Sequence, residues 1–172
     1  MLERYRRDTA RARETPAAIL DRTVATNDLT FLVEFEDPDR EYRPWIVPVI
    51  DGIDLRSSVQ RAITTEAHPL FGGLPLSWFS SVRGHYLASR SAAFEDGRLA
   101  LLGCSCAIVD CDPIYARIRV DDTHVTWTDL VRHGSILPLG PFRFERGAYE
   151  LAVQQAMNDA AALCEREAAA RA

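Results

Sequence analysis

The sequence predicts an α+β fold, in which a mainly antiparallel sheet is packed on one face by helices and the chain ends in a long helix. Apolar and polar residues alternate over residues 29–35 and again over residues 114–120, which is typical of half-buried strands. One helical pattern lies between these strands, and a longer one follows them over residues 146–169. A chain of 172 residues is long enough to bury a core, so we expect a single domain.

The N-terminal part predicts helix followed by strand. Residues 1–26 carry a helical pattern that Pro16 divides into two pieces. Residues 1–14 hold five arginines against three carboxylates, which indicates a charged N-terminal arm. A strand over residues 45–50 follows the first alternating strand. Because proline cannot donate to a sheet ladder, Pro48 indicates an edge position or a bulge.

The middle of the chain predicts one helix and a segment without a clear pattern. Asp51-Gly52 is a turn signal, and Asp54 can cap a helix that runs to about residue 65. Its inward-facing positions are Leu55, Val59 and Ile63. Residues 66–94 predict little beyond a short helix at residues 76–79.

A β-hairpin is the most specific tertiary prediction. The strand over residues 114–120 leads into Asp121-Asp122, which we interpret as a two-residue loop. That loop places Ile118 opposite Val125, so the apolar faces of the two strands match.

Two further elements complete the predicted fold. A buried strand is expected over residues 98–102, before the hairpin. The closing helix carries an apolar stripe at Tyr149, Val153, Ala156, Met157, Ala160 and Cys164. Cys164 is therefore predicted to be a small core residue.

The charge composition excludes several classes of function. All 20 basic residues are arginine, so the chain has no lysine for a Schiff base, a Walker A loop or a kinase site. A net charge of −5 argues against a general nucleic-acid binder. The N-terminus lacks the apolar core of a signal peptide, and no run of about 18 apolar residues occurs. We therefore expect a cytoplasmic protein that neither binds a membrane nor enters one.

The most unusual segment carries three cysteines, Cys104, Cys106 and Cys111, in a loop between two predicted strands. A cytoplasmic location argues against structural disulfides. Three hypotheses remain open for these thiols: they bind a metal, they take part in redox chemistry, or they pack as small buried groups.

Each chemical hypothesis for the loop depends on neighbouring residues. A zinc site needs a fourth ligand besides the three thiolates, and His133, His124, Asp110 or Asp112 could provide it. A reactive thiolate needs positive charge nearby, whereas the adjacent charges belong to Asp110 and Asp112. The local charges thus favour an inert or metal-bound loop over a reactive one.

The cysteine loop also carries a resemblance, which covers roughly residues 97–155. The matching segments are Gly-Cys-Ser-Cys at 103–106, Cys-Asp-Pro at 111–113, Val-Thr-Trp-Thr-Asp at 125–129 and Leu-Gly-Pro-Phe-Arg-Phe at 139–144. In this pattern the chain resembles a family of bacterial proteins that has no established function. Members carry a glycine and an aromatic residue where this chain has Ala107 and Asp112. Because the family has no established function, the resemblance implies no activity for this chain.

These observations lead to one leading hypothesis and one alternative. We expect a non-catalytic protein-interaction or accessory module with a structural, zinc-bound cysteine loop and a protein partner. The alternative is a thiol- or metal-dependent enzyme that uses Cys104, Cys106 or Cys111 with a histidine. The edge position expected for Pro48 also suggests a homodimer.

Overall fold

The computed structural model describes residues 25–35, 44–63, 71–76, 82–88, 94–95, 97–104 and 111–171. Outside the described residues lie the charged arm predicted at 1–14, most of the helical pattern predicted over 1–26, most of the short helix predicted at 76–79, and Cys106. Residues 25 and 26 are described, and they do not belong to a helix.

The described residues form eleven strands and three helices. In chain order they are β1 (Leu29–Glu34), β2 (Trp45–Ile50), β3 (Ile53–Asp54), α1 (Leu55–Ile63), β4 (Phe71–Gly72), β5 (Leu74–Pro75), α2 (Val82–Tyr86), β6 (Phe94–Glu95), β7 (Arg98–Cys104), β8 (Ile114–Val120), β9 (His124–Arg132), β10 (Ser135–Ile136), β11 (Phe142–Glu145) and α3 (Arg146–Arg171). Within these ranges, no helix combines the length and the apolar character needed to cross a membrane.

The strands belong to two antiparallel sheets. The first sheet has the order β1-β2-β3, and β5 also pairs with β2. The second has the order β10-β9-β8-β7-β4, with β11 paired to β9 and β6 paired to β7. The predicted α+β class, with antiparallel strands and a long C-terminal helix, is confirmed. The division into two sheets is a finding of the structure, because alternation alone does not say which strands share a sheet.

Both sheets and all three helices contribute to one hydrophobic core with an aromatic centre. The ring of Trp127 lies 5.1 Å from Phe144 and 6.0 Å from Tyr149, between ring centroids. Trp127 Nε1 donates to the Tyr149 hydroxyl at 3.1 Å, and that hydroxyl donates to the carbonyl oxygen of Tyr86 at 2.7 Å. Burial raises the pKa of Tyr149 well above its ordinary value, so the hydroxyl remains a donor. The buried polar atoms of this contact chain are thereby paired.

The predicted turn and helix cap after β2 are confirmed. Asp51 and Gly52 have φ angles of 51° and 75°, the left-handed values of a two-residue type I′ hairpin loop. Oδ1 of Asp54 accepts the backbone N–H of Arg56 at 2.7 Å, as expected of an N-cap. The predicted inward positions of the helix are buried or half-buried: Leu55, Val59 and Ile63.

The edge position predicted for Pro48 was wrong, because β2 is a central strand. It pairs with β1 on one side and with β5 and β3 on the other. In an antiparallel ladder, successive residues of a strand point their N–H groups to opposite neighbours. The N–H of Asp51 donates to the carbonyl of Asp28 on the β1 side, so the nitrogen of Pro48, three residues earlier, faces the side of β3 and β5. There Pro48 lies between the residues paired to β5 and those paired to β3. The homodimer suggested by that edge stays a prediction.

The β8–β9 hairpin exists, but its predicted register was wrong by two residues. Ile118 pairs with Trp127, whereas Val125 was expected opposite it. Asp121 determines the loop: its Oδ1 accepts the N–H of His124 at 2.7 Å, and its own N–H donates to the carbonyl of His124 at 2.9 Å. A shift of two positions leaves each side chain on the same face, so the buried face is the predicted one.

The long C-terminal helix is confirmed, but the core position predicted for Cys164 was wrong. Four residues of the stripe are buried: Tyr149, Val153, Ala156 and Ala160. Cys164 is exposed, because the buried stripe ends one turn earlier. The hydrophobic pattern continues along α3 beyond its packed part.

Candidate functional site

The two described cysteines of the predicted cluster lie at one end of the second sheet. β7 ends at Cys104, and Cys111 lies three residues before the start of β8. Leu102 pairs with Ile114, so the loop that carries the cysteines joins neighbouring strands. Cys104 is half-buried and Cys111 is exposed. Cys106, the third cysteine of the cluster, belongs to loop residues outside the described ranges.

Asp112, which follows Cys111, connects this loop to the end of β9. Its Oδ1 accepts a hydrogen bond from Arg132 Nε at 2.9 Å, and its Oδ2 accepts one from Arg132 Nη2 at 2.6 Å. Oδ1 also lies 2.9 Å from His133 Nε2. The hydrogen bonding that Arg132 donates to Asp112 raises the pKa of Arg132, which keeps the guanidinium charged. We refer to Asp112, Arg132 and His133 as the clasp.

The clasp continues to β4 through an aromatic contact. The guanidinium carbon of Arg132 lies 5.3 Å from the centroid of the Phe71 ring, a cation–π distance. Phe71 in turn pairs with Cys104 between β4 and β7. The contacts of the clasp therefore extend from the residue after Cys111 to the strand partner of Cys104.

A tight turn places His133 over Asp112. Arg132 pairs with Ser135, and the two residues between them, His133 and Gly134, have φ angles of 47° and 76°. Nε2 of His133 faces Asp112, and in the described part of the chain no hydrogen bond involves Nδ1. The His133 side chain is 66% exposed, so solvent or a ligand can reach that nitrogen.

His124 lies at the opposite end of the hairpin from the cysteines. The nine residues of β9 separate it from Arg132 by roughly 25 Å, at about 3.3 Å per residue. Its Nδ1 lies 2.7 Å from the hydroxyl of Thr123 and 3.1 Å from Nη2 of Arg143. The structure thus brings His133, and not His124, to the end of the sheet where Cys104 and Cys111 lie.

The predicted metal ligands are only partly within the described residues. Three of them, Cys104, Cys111 and His133, lie at the same end of the sheet, whereas Cys106 is outside the described ranges. Among the residues that the structure describes, no three His, Cys, Asp or Glu side chains are grouped so that they could hold a metal ion.

The sequence did not indicate the clasp. The sequence presents Asp112 as a charge that disfavours a thiolate and as a candidate zinc ligand, and it does not single out Arg132 or Phe71. Arg132 is 20 residues from Asp112, and their contact depends on the hairpin and on a bulge at Asp129, which has a φ of 51°. The adjacent pair Arg132-His133 at the end of a strand was the only local signal.

One histidine of the described ranges, His85, is buried and makes a structural contact. His85 is 2% exposed, and its Nε2 lies 2.7 Å from the carbonyl oxygen of Ala100 in β7. Burial lowers the pKa of His85 to about 4, so the imidazole is neutral near pH 7 and donates to that carbonyl. This hydrogen bond joins α2 to the second sheet.

No protein-family model matches the chain, and neither does any curated protein or any solved structure. The resemblance to a bacterial family over residues 97–155 therefore stays a prediction. The function has to be inferred from the geometry of the described residues.

Proposed function

We propose that the chain is a non-catalytic protein-interaction or accessory module in which the cysteine loop is structural and binds zinc. The hydrogen bonding of Asp112 carries this proposal. Its carboxylate accepts two hydrogen bonds from Arg132 and contacts His133, so the polar groups beside Cys111 are engaged in holding two strands together. A nucleophilic thiol would need one of these groups for its activation.

The clasp also places a carboxylate beside His133, as is usual for a histidine that binds zinc. A histidine that binds zinc through one ring nitrogen usually donates the other N–H to a carboxylate, which fixes the ring. Nε2 of His133 contacts Asp112, and Nδ1 remains for a metal. Cys104, Cys106 and Cys111 would supply three thiolates, which complete a four-ligand set.

Metal analysis tests the structural zinc site. We expect the full chain, purified without chelator, to contain about one zinc ion per molecule by inductively coupled plasma mass spectrometry. His133→Asn should lose most of that metal. His124→Asn is the matched control, since it removes the histidine at the other end of β9, and it should retain the metal. A folded wild-type chain without metal would contradict the zinc site.

A second function is favoured by one specific observation. The contact of His133 with Asp112, adjacent to an exposed Cys111, is also the arrangement of a base oriented by a carboxylate near a nucleophile. It supports the alternative of a thiol- or metal-dependent enzyme. A turnover that is lost in Cys111→Ser but kept in Cys164→Ser would establish this alternative over the non-catalytic module.

We also propose a cytoplasmic location. The proposed zinc-bound cysteine loop needs reduced thiolates, which suits a reducing compartment. Fractionation of cells that express the tagged full chain tests this location, and recovery in a membrane or secreted fraction would contradict it.

A further inference from the structure

The outer face of the second sheet carries two arginines in a single cross-strand row. Arg119 of β8 and Arg143 of β11 both pair with Thr126 of β9, which lies between them. Directly paired residues share a face of the sheet. Neighbouring strands are about 4.8 Å apart, so the Cα atoms of the two arginines are roughly 10 Å apart. The row therefore presents two guanidinium groups with a hydroxyl between them.

The positive charge of this row is not neutralised by the described residues. Arg119 is exposed and Arg143 is half-buried. In the part of the chain that the structure describes, neither guanidinium forms an ion pair, and the side-chain contact of Arg143 is to Nδ1 of His124 at 3.1 Å. Arg117, two residues before Arg119, differs because it pairs with Asp129 at 3.4 Å.

The acids that border the row are engaged by backbone groups. Glu145 accepts the N–H groups of Ala148 at 2.6 Å and Gly147 at 3.0 Å at the start of α3, and these bonds lower its pKa. Asp121 accepts the N–H of His124 at 2.7 Å in the hairpin loop. Both carboxylates stabilise their own turns, so neither of these two described acids neutralises the arginines of the row.

We propose that the row Arg119–Thr126–Arg143 binds an acidic segment of a partner protein. This inference rests on the proposed interaction module and names the chemistry of its partner. Guanidinium groups bind carboxylates through paired hydrogen bonds. Alternate side chains of an extended segment share one face and are roughly 7 Å apart, a separation that two long arginine side chains with Cα atoms roughly 10 Å apart can match.

An acidic peptide fits this row better than a nucleic acid does. A phosphate backbone needs many cationic contacts along its length, whereas this row offers two and is bordered by Asp121 and Glu145. The chain as a whole also carries a net charge of −5, which repels a long polyanion. A short acidic segment can place its carboxylates at the row without extending along the sheet.

Fluorescence anisotropy of the full chain with a labelled peptide of alternating glutamate and serine tests this proposal. The double variant Arg119→Gln with Arg143→Gln should weaken binding by about tenfold. The double variant Arg61→Gln with Arg166→Gln removes the same charge from exposed helix positions and should change it by less than about twofold. Circular dichroism and unfolding midpoints of both variants verify that they are folded.

Three results would overturn the proposal: no peptide binding at low ionic strength, an equal loss in both double variants, or a glutamine-for-glutamate peptide that binds as well. Tighter binding of single-stranded oligothymidylate, lost in the same arginine variant, would assign the row to nucleic acid instead. Zinc content measured on the same samples separates the two proposals. Zinc without peptide binding would refute only the acidic partner, and peptide binding with a Cys111-dependent turnover would refute only the non-catalytic module.

Discussion

Replacing Asp112 by asparagine should destabilise the chain much more than the same change at Asp129. Both acids contact an arginine across the β8–β9 hairpin. Asp112 makes two hydrogen bonds to Arg132, of 2.9 and 2.6 Å, and its side chain is 15% exposed. Asp129 lies 3.4 Å from Arg117, and its side chain is 43% exposed. The two variants thus compare an ion pair of favourable geometry with a weak ion pair in the same hairpin.

The contacts of the two carboxylates determine how much free energy of unfolding each variant should lose. An asparagine at 112 loses the charge and presents an amide N–H₂ group where a donor of Arg132 or His133 now binds. Hydrogen bonds to charged groups contribute about 1.5–3 kcal/mol, whereas exposed ion pairs contribute about 0.2–1 kcal/mol. Because the clasp is partly exposed, we expect Asp112→Asn to lower the free energy of unfolding by about 1–3 kcal/mol. Asp129→Asn should lower it by about 0.5 kcal/mol or less.

Urea unfolding, followed by the fluorescence of the buried Trp127, measures both variants. An unchanged m-value would show that the difference lies in stability. A double-mutant cycle with Arg132→Gln should give a loss smaller than the sum of the single losses, since both changes remove one interaction. If Asp112→Asn costs no more free energy of unfolding than Asp129→Asn, the clasp does not hold the cysteine end of the sheet, and the proposed structural role of the loop is refuted.

Three further predictions concern the core and the backbone. Tyr149→Phe removes a hydroxyl that accepts from Trp127 and donates to the carbonyl of Tyr86, so it should cost about 2–4 kcal/mol in urea unfolding; a cost below about 0.5 kcal/mol would show that this contact chain is unimportant. Burial lowers the pKa of His85 in the folded chain to about 4 from its ordinary value of 6.5, so the unfolded chain binds the proton more readily. Its contribution to stability, about 3 kcal/mol, should be complete above pH 6.5 and lost as the pH falls towards 4; stability measured between pH 7 and pH 4.5 should fall less in His85→Gln, and an equal fall would contradict this origin. Ala88→Gly should raise the free energy of unfolding by about 0.5 kcal/mol, because Ala88 has a left-handed φ of 57° at the end of α2, which glycine adopts without strain. A lower free energy of unfolding would refute this explanation.

The sequence predicted the elements that have strong local patterns. β2, α1, β8 and α3 begin and end close to the predicted residues, because alternation, the Asp54 cap and the helical stripe are local signals. The short strands β4 and β5 were missed, since two-residue strands have no periodicity and depend on their partners. The prediction of the hairpin register was wrong because Asp121 bonds to the backbone of its own loop. The apolar faces of β8 and β9 match equally well when the pairing is shifted by two residues.

The candidate site was less predictable than the fold. Cys104, Cys111 and His133 could be singled out by residue type, and the strand pairing explains why they share one end of the sheet. The clasp contact of Asp112 with Arg132 depends on the register and on the bulge at Asp129. The row of arginines on the outer face likewise requires the pairing of β11 with β9, which alternation does not indicate.

The central claim, that the cysteine end of the sheet is structural and not catalytic, is tested most directly by comparing two thiols in one molecule. Cys111 and Cys164 are both exposed, so Cys164 is an internal reference. The native full chain is treated with limiting iodoacetamide at neutral pH, and the modification of each cysteine is followed by peptide mass spectrometry. We predict that Cys111 reacts no faster than Cys164, and more slowly when zinc is bound. Modification of Cys111 at a rate about tenfold above that of Cys164 would indicate an activated thiolate and would contradict the claim.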